Sequence, residues 1–480
     1  MKLSFSQRLG LRVGIEELTE GATGDEDLGE TGGTVVLPDE PLETLEGGLD
    51  EAGTAEAEVT EVTAEAEQME RTVETMEKIA AGLTVAMRNG GCTAGEAYAY
   101  QVALESAFGP FGMGPSASAS LENIGSAKNP RLEATRVTLE GVQDTLYKWW
   151  AGLVAIWEKA YAAIKGWLMK VFDTIPAVKK RAAEIVAKAN AAKGAPKKDK
   201  ITFDAKSLCV GAGAVDAAGV AKATAGVADL CNNALIKDKG VYGVATALLL
   251  QTLRDQVDGK MAEGAEDAIV EKLVKGITES SADLKPASKD KYGGDGMTAV
   301  ITAPYMGNKV MAITEASELK KDGKSIGIAK AIQLYSMKLT DGPDTANDAK
   351  EVGAADAATV KAIALDVGKL CDTLSAFRGL WQERDKSKSL LGSEVKKEID
   401  KVAKDKDGGA DKAARVKACG SAIQSYASKN SNFMAQVSSY GLRCSQVALN
   451  YANKCLENIG EGAAKEEPKK EEPKKEGEAK

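Results

Sequence analysis

One stretch, from Thr138 to Phe172, restricts the fold more than any other because its side chains repeat with the period of an α-helix. At about 100° per residue, eight large apolar side chains fall on one face, and three lysines lie roughly opposite. The stretch predicts a long amphipathic helix that packs into a core or onto a partner. A membrane-surface helix is the alternative. The apolar face consists of Leu146, Trp150, Leu153, Trp157, Tyr161, Ile164, Leu168 and Val171.

The rest of the chain predicts a mainly α protein with a small antiparallel β-sheet. Alanine, lysine and glutamate are frequent and aromatics make up only 5%, which favours helices. Helical spacing also runs from Glu67 to Phe108, through much of 203–282 and through the C-terminal third of the chain. Residues 298–305 and 310–314 predict a hairpin with a Gly-Asn turn, and 328–339 predict a third strand.

Charge divides the chain into an acidic head and a basic body. Between Gly14 and Glu77 there are 21 acidic residues and one basic residue, although the whole chain carries only -9. Few apolar side chains interrupt the acids, so residues 14–67 are predicted to be disordered. The tail 461–480 repeats Glu-Glu-Pro-Lys-Lys and is predicted to be extended and solvated. Residues 123–206, by contrast, hold 16 Lys/Arg and 8 Asp/Glu, a surplus that attracts phosphate backbones.

The sequence provides no catalytic constellation. Histidine is absent, which removes the commonest general base and zinc ligand. The seven cysteines are odd in number and lack Cys-x-x-Cys spacing, which favours a reducing compartment. No signal peptide or membrane-spanning stretch is apparent. We therefore expect no enzymatic activity, no metal, no cofactor and no small-molecule substrate.

Small-x-Glu tripeptides recur around a Gly/Pro/Ser-rich stretch, residues 108–120, that predicts a loop. Ala103-Leu104-Glu105 precedes this stretch and Ser120-Leu121-Glu122 ends it, while Ala94-Gly95-Glu96 is a weaker match. The two better matches lie where the acidic head gives way to the aromatic-lysine helix. Loops expose backbone to proteases, so this position favours cleavage.

The order of these parts resembles the internal head proteins of giant KZ-like tailed bacteriophages. The resemblance rests on the start MKLSFSQRLGLRV, the acidic region, the Ala-Leu-Glu and Ser-Leu-Glu sites, the aromatic-lysine helix and the later PYMGNKV hairpin. Where PYMGNKV stands, the family more often has Leu-Pro-Gly-Asn-Lys. The resemblance implies that a prohead protease cuts after Glu105 or Glu122, less favourably after Glu96, and removes an acidic propeptide inside the capsid.

The resemblance further implies a structural protein inside the virion head, present in the host cytoplasm during assembly. Its expected partners are the prohead protease, other capsid or inner-head proteins and non-specific double-stranded DNA. The predicted division is an acidic propeptide-like region (1–105), a loop with the aromatic-basic helix and linker (106–195), a helical domain with the sheet at 298–339 (196–460), and a charged tail (461–480). The alternative is a helical surface, secreted effector or membrane-active protein of a pathogen.

Overall fold

The computed structural model describes residues 42–108, 129–236, 284–318, 320–321, 324–404 and 409–459, together with the single residues 252, 254, 255 and 258. Among these residues, 57–163 supply most of one compact unit and 164–459 most of a second. We call them the N-terminal unit and the C-terminal unit. The predictions for 14–41, the loop around 109–120 and the tail 461–480 lie outside the described residues.

Helices dominate both units, which confirms the predicted fold class. The helices are α1 (Leu42–Arg88), α2 (Ala94–Phe108), α3 (Pro130–Ala191), α4 (Ala217–Leu235), α5 (Lys289–Tyr292), α6 (Gly327–Leu334), α7 (Ala357–Lys404) and α8 (Gly409–Ile459). The strands are β1 (Lys200–Thr202), β2 (Lys285–Pro286), β3 (Met297–Ile301), β4 (Lys309–Ala316), β5 (Lys320–Lys321), β6 (Lys324–Ser325), β7 (Ser336–Asp341) and β8 (Glu351–Gly353).

Helix α1 starts earlier than the acidic composition predicts. The prediction of disorder is wrong for residues 42–67, which are helical. Val59, Val62 and Ala66 are buried and extend the three-and-four spacing of the later apolar residues toward the N-terminus. Glu58 and Glu61 are exposed, so the acids occupy the solvent face of an amphipathic helix.

The aromatic-lysine helix is longer than predicted. Helix α3 has 62 residues and includes Pro176. At its start, the Asn129 side chain accepts a hydrogen bond from the Leu132 amide at 3.4 Å, as expected of an N-terminal cap. The first half of α3 belongs to the N-terminal unit, and the second half, from Ile164, belongs to the C-terminal unit.

Helix α8 is the central element of the C-terminal unit and packs against α4, α6, α7 and β7. Most side chains between Ala422 and Ala452 are buried, including several serines. Ser431, Ser438 and Ser445 each donate to the carbonyl four residues earlier, at 2.7–2.8 Å. These bonds satisfy the hydroxyl groups within the helix, so the serines can be buried among apolar neighbours.

The predicted hairpin is confirmed. Strands β3 and β4 pair antiparallel with Ile301 opposite Ala312, in a four-stranded sheet of order β2-β3-β4-β7. Gly307 and Asn308, at the turn, both have positive φ, 68° and 55°. The third strand is shorter than predicted, because residues 327–334 form α6 and only 336–341 form β7. The β1–β8 pair was not predicted, since each of these strands has three residues.

Candidate functional site

Glu105 lies within the last turn of α2, three residues before the helix ends at Phe108. Leu104 beside it is buried in the core of the N-terminal unit, and Ser106 on its other side is exposed. The Glu105–Ser106 peptide bond is therefore helical and not part of the predicted loop. Glu122 and Asn123 lie outside the described residues.

Glu96 has a structural role that the motif does not reveal. Its carboxylate accepts hydrogen bonds from the Thr93 amide at 2.8 Å and the Thr93 hydroxyl at 2.9 Å. The Thr93 hydroxyl accepts in turn from the Glu96 amide at 3.3 Å, which completes a capping box at the start of α2. The hydrogen bond from the Thr93 backbone lowers the pKa of Glu96.

The predicted face of α3 is largely buried where the structure describes it. Trp157, Ile164, Leu168 and Val171 are almost fully buried, and Tyr161 is half-buried. Trp157 packs in the N-terminal unit, whereas the other buried members belong to the C-terminal unit. The side chains of Leu146, Trp150 and Leu153 are not described. This burial agrees with a core helix, and within the described residues no helix has the length and apolarity needed to cross a membrane.

In the N-terminal unit, α1 and the first half of α3 run antiparallel. Gly152 of α3 lies against Met69 of α1, and Gly91, just after α1, lies against the backbone of Arg131. The Cys92 amide donates to the Thr135 hydroxyl at 2.8 Å. The shared core contains Val62, Ala66, Met69, Val73, Met76, Ile79, Leu83, Ala86, Cys92, Leu104, Leu139, Val142, Ile156, Trp157 and Ala160.

The basic surplus of α3 is partly neutralised by acids of α7. Lys165 pairs with Asp385 at 2.7 Å, and Lys179 pairs with Asp372. A third pair has the opposite polarity, since Arg378 of α7 reaches Asp173 of α3 at 3.9 Å. The hydrogen bond with Asp372 raises the pKa of Lys179, so this ammonium stays charged. Such exposed pairs contribute little stability, but the two lysine pairs reduce the positive charge on the surface of α3.

The Gly-Asn turn of the PYMGNKV segment joins several elements of the C-terminal unit. The Tyr440 hydroxyl of α8 donates to the Met306 carbonyl at 2.6 Å. The Asn308 amide donates to the Cys209 carbonyl at 3.0 Å, and its side chain donates to the Asp344 carbonyl at 2.7 Å. The turn therefore fixes the sheet to α8 and to the segment after β1, which is a structural role.

Sequence reasoning missed a buried lysine on α8. Lys429 is 9% exposed, and its ammonium donates to the carbonyls of Ile332, Gln333 and Tyr335, each at 3.1 Å. These carbonyls lie at the C-terminal end of α6, where a cation is favoured by the helix dipole. Its neighbours in the segment Ser-Lys-Asn-Ser are polar, as on a solvated helix face, so the contact could not be predicted from this segment.

The described residues contain no group of three or more Cys, Asp or Glu side chains placed to hold a metal ion. All seven cysteines are buried, and none forms a disulfide bond. The contacts described above are therefore of three kinds: packed apolar helix faces, hydrogen-bonded helix caps and ion pairs. They hold a helical protein together and present charge to their surroundings.

A mainly helical protein with a small antiparallel sheet and charge segregated along the chain is the class that this architecture defines. The model of the phiKZ-like phage internal head proteins matches residues 45–454, and the chain belongs to this family. It is a structural component of the virion, located inside the head and associated with other head components. No curated protein matches the chain, and no solved structure matches it either.

Proposed function

We propose that this internal head protein is synthesised as a precursor in the host cytoplasm and loses its acidic N-terminal segment to the prohead protease by a cut after Glu105 or Glu122. The basic remainder then contacts packaged DNA or the inner capsid. Family membership favours this function over a surface, secreted effector or membrane-active protein of a pathogen. The observation that carries the proposal is the position of the two small-Leu-Glu sites, which lie between the acidic residues 14–77 and the basic residues 123–206.

The two candidate bonds place different demands on a protease. Proteases bind extended backbone, which exposed loops supply and helices do not. The Glu105–Ser106 bond lies near the C-terminal end of α2, so this end has to unwind and Leu104 has to leave the core before cleavage. A cut after Glu122 places no such demand on α2. Glu96 is the least favourable site because its carboxylate caps the same helix.

The charge distribution indicates what the cut would change, namely the net charge of the chain that faces DNA. Residues 14–77 carry a net charge of -20, and residues 106–480 carry +8. In the precursor, the acidic residues oppose attraction between the body and DNA. Once these acidic residues are removed, binding of Lys and Arg side chains releases counterions from the phosphate backbone, which makes the free energy of binding more favourable.

The test is to replace both candidate residues, as Glu105→Gln with Glu122→Gln, in the chain expressed during infection. We expect the double variant to remain full-length in particles, and the single variants to show which bond is cut. Glu158→Gln is the matched control, because Glu158 is exposed on α3 and follows Ile156-Trp157 instead of a small residue. Normal shortening of the double variant would contradict the proposed sites.

A further inference from the structure

The N-terminal unit is held together across the segment 109–128, which contains the proposed cut after Glu122. Helices α1 and α2 precede the segment 109–128, whereas Leu139, Val142, Ile156, Trp157 and Ala160 of α3 follow it. All five α3 side chains share one apolar core with residues from α1 and α2. A break in the covalent chain between α2 and α3 therefore leaves every contact of this core in place.

We infer that one cut between α2 and α3 does not release the acidic N-terminal segment: α1 and α2 remain docked on the first half of α3 as a separate chain. The surface involved is the apolar face of α3, and its occupant is the cut segment itself. The biological meaning of this inference rests on the proposed function, since that function supplies the cut.

The extent of the contact supports retention. On α1, Val62, Met69, Met76 and Leu83 lie at intervals of seven residues and are each at most 4% exposed. They cover more than five turns of helix, and removing them from α3 would expose apolar surface on both partners. Association through a helix lying in an apolar groove is a stable mode of protein recognition.

The end of α1 is fixed by contacts that depend on close approach. A Cβ atom on Gly91 would lie 2.5 Å from the carbonyl carbon of Arg131, so only glycine allows the two backbones to come this close. Gly91 also has a φ of 102°, which a side chain rarely adopts. Beside it, the buried hydrogen bond from the Cys92 amide to the Thr135 hydroxyl joins the α1–α2 turn to α3.

If the cut segment stays bound, a single cut does not remove its acidic charge from the body. The net charge of -20 lies in residues 14–77, most of α1 included, so it stays with the body after a single cut. Reversal of the charge then requires a second cut within α1 or forced dissociation of the fragment. The acidic segment is thus a bound polyanion competing with DNA until it is degraded.

The experiment uses the full chain with a recognition sequence for a site-specific protease inserted after Gly114, so that it does not depend on the phage enzyme. After complete cutting, we expect both fragments to elute together from a native sizing column and to separate in denaturant. Met76→Asp places a charge at a fully buried position and should release the fragment. Val85→Asp, at a position that is 55% exposed, should leave it bound.

If Met76→Asp prevents folding of the uncut chain, Val73→Ala provides a milder test, because it removes methyl groups from the same core. It should speed loss of a labelled fragment on dilution, compared with Val85→Ala. Separation of the unsubstituted fragments on the native column would overturn the inference. So would co-elution that responds to neither Met76→Asp nor Val73→Ala. An intact N-terminus in particles would instead contradict the proposed processing alone.

Discussion

Small side chains decide how closely the helices of the C-terminal unit approach one another. Gly441 of α8 lies against Cys231 of α4 and Leu370 of α7. A Cβ atom there would lie 2.7 Å from the Cys231 sulfur and 3.5 Å from a Leu370 methyl carbon. Since all three residues are in the buried core, neither neighbour has open space to move into.

Gly441→Ala should therefore destabilise the protein by about 1–3 kcal/mol through overpacking. The measurement is the free energy of unfolding from denaturant titration. The matched control is Gly379→Ala in α7, where nothing lies within 4 Å of the added Cβ. That substitution should stabilise the helix by about 0.5–1 kcal/mol. Equal effects at the two positions would show that the α4–α8 contact is not close.

Burial also shifts the titration of several core side chains. Desolvation raises the pKa of Cys371 and Cys444 to about 12, from 9.0, and that of Tyr426 to about 12, from 10.0. The unfolded chain therefore loses these protons at lower pH than the native chain. Stability is fully present below about pH 9 and is lost as pH rises toward 12.

We predict a lower free energy of unfolding at about pH 10.5 than at about pH 8, with reductant present to keep the thiols reduced. Replacing Cys371 and Cys444 by alanine should reduce this pH dependence, measured relative to the variant's own stability at the lower pH. A free energy that stays constant or rises over this interval would contradict the buried positions of these groups.

At the scale of single elements, Lys429 shows how α8 supports a neighbouring helix. Its ammonium satisfies carbonyls at the end of α6, and the Tyr335 hydroxyl donates to the Asn430 side chain at 3.1 Å. The Tyr335 and Tyr426 rings also pack together, with centroids 5.4 Å apart. The α6–β7 junction thus rests on polar and aromatic groups of one α8 segment.

Lys429→Met keeps most of the side-chain volume and removes the donor, so the carbonyls of α6 lose a charged partner while remaining buried. We expect a loss of about 2–4 kcal/mol in the free energy of unfolding. Lys338→Met, on an exposed position of β7, should change it by less than about 0.5 kcal/mol. A small effect at Lys429 would mean that water satisfies these carbonyls.

Periodicity predicted the long helices because their apolar residues repeat over many turns, as Trp157, Ile164 and Leu168 do in α3. It failed at short elements. Residues 328–334 fit a strand or a helix equally, and the helix is selected by burial of Ala331 and Ile332 beside β4 and α8. The acidic composition likewise concealed the start of α1, because Val59 and Val62 are too sparse to stand out among the acids.

The sequence motif of the candidate cleavage sites could be predicted, but the backbone conformation at each site could not. Small-x-Glu spacing identifies Glu105 and, as a weaker match, Glu96, yet Glu96 caps α2 and Glu105 lies near its other end. Neither role follows from the tripeptide alone. The cap depends on Thr93, and the burial of Leu104 depends on the core that α2 shares with α1 and α3.

Across the whole molecule, acidic and basic residues are segregated along the chain. The apolar core, by contrast, contains residues from both the acidic and the basic part. The acidic residues between Gly14 and Glu77 include the solvent face of α1, whose other face packs on α3. Deleting residues 1–105 would therefore expose apolar surface as well as remove charge. A test of electrostatic masking has to change the acids that precede α1 and leave α1 itself intact.

We predict that replacing the nine acidic residues of 14–41 by their amides strengthens non-specific binding to duplex DNA at low salt. The difference from the unsubstituted chain should shrink as salt rises, since screening shortens the range of the acids. Titration of both chains with the same DNA fragment at two salt concentrations measures it. Equal affinities at low salt, or a difference indifferent to salt, would show that these acids do not mask a DNA-binding surface.

The most direct test of the account is the identity of the N-terminal residue of this chain in mature phage particles, determined by mass spectrometry of its terminal peptide. The account predicts that the basic chain begins at Ser106 or Asn123, even where fragments of α1 remain bound to it. A chain that still begins at Met1 in infectious particles would contradict proteolytic maturation of this protein.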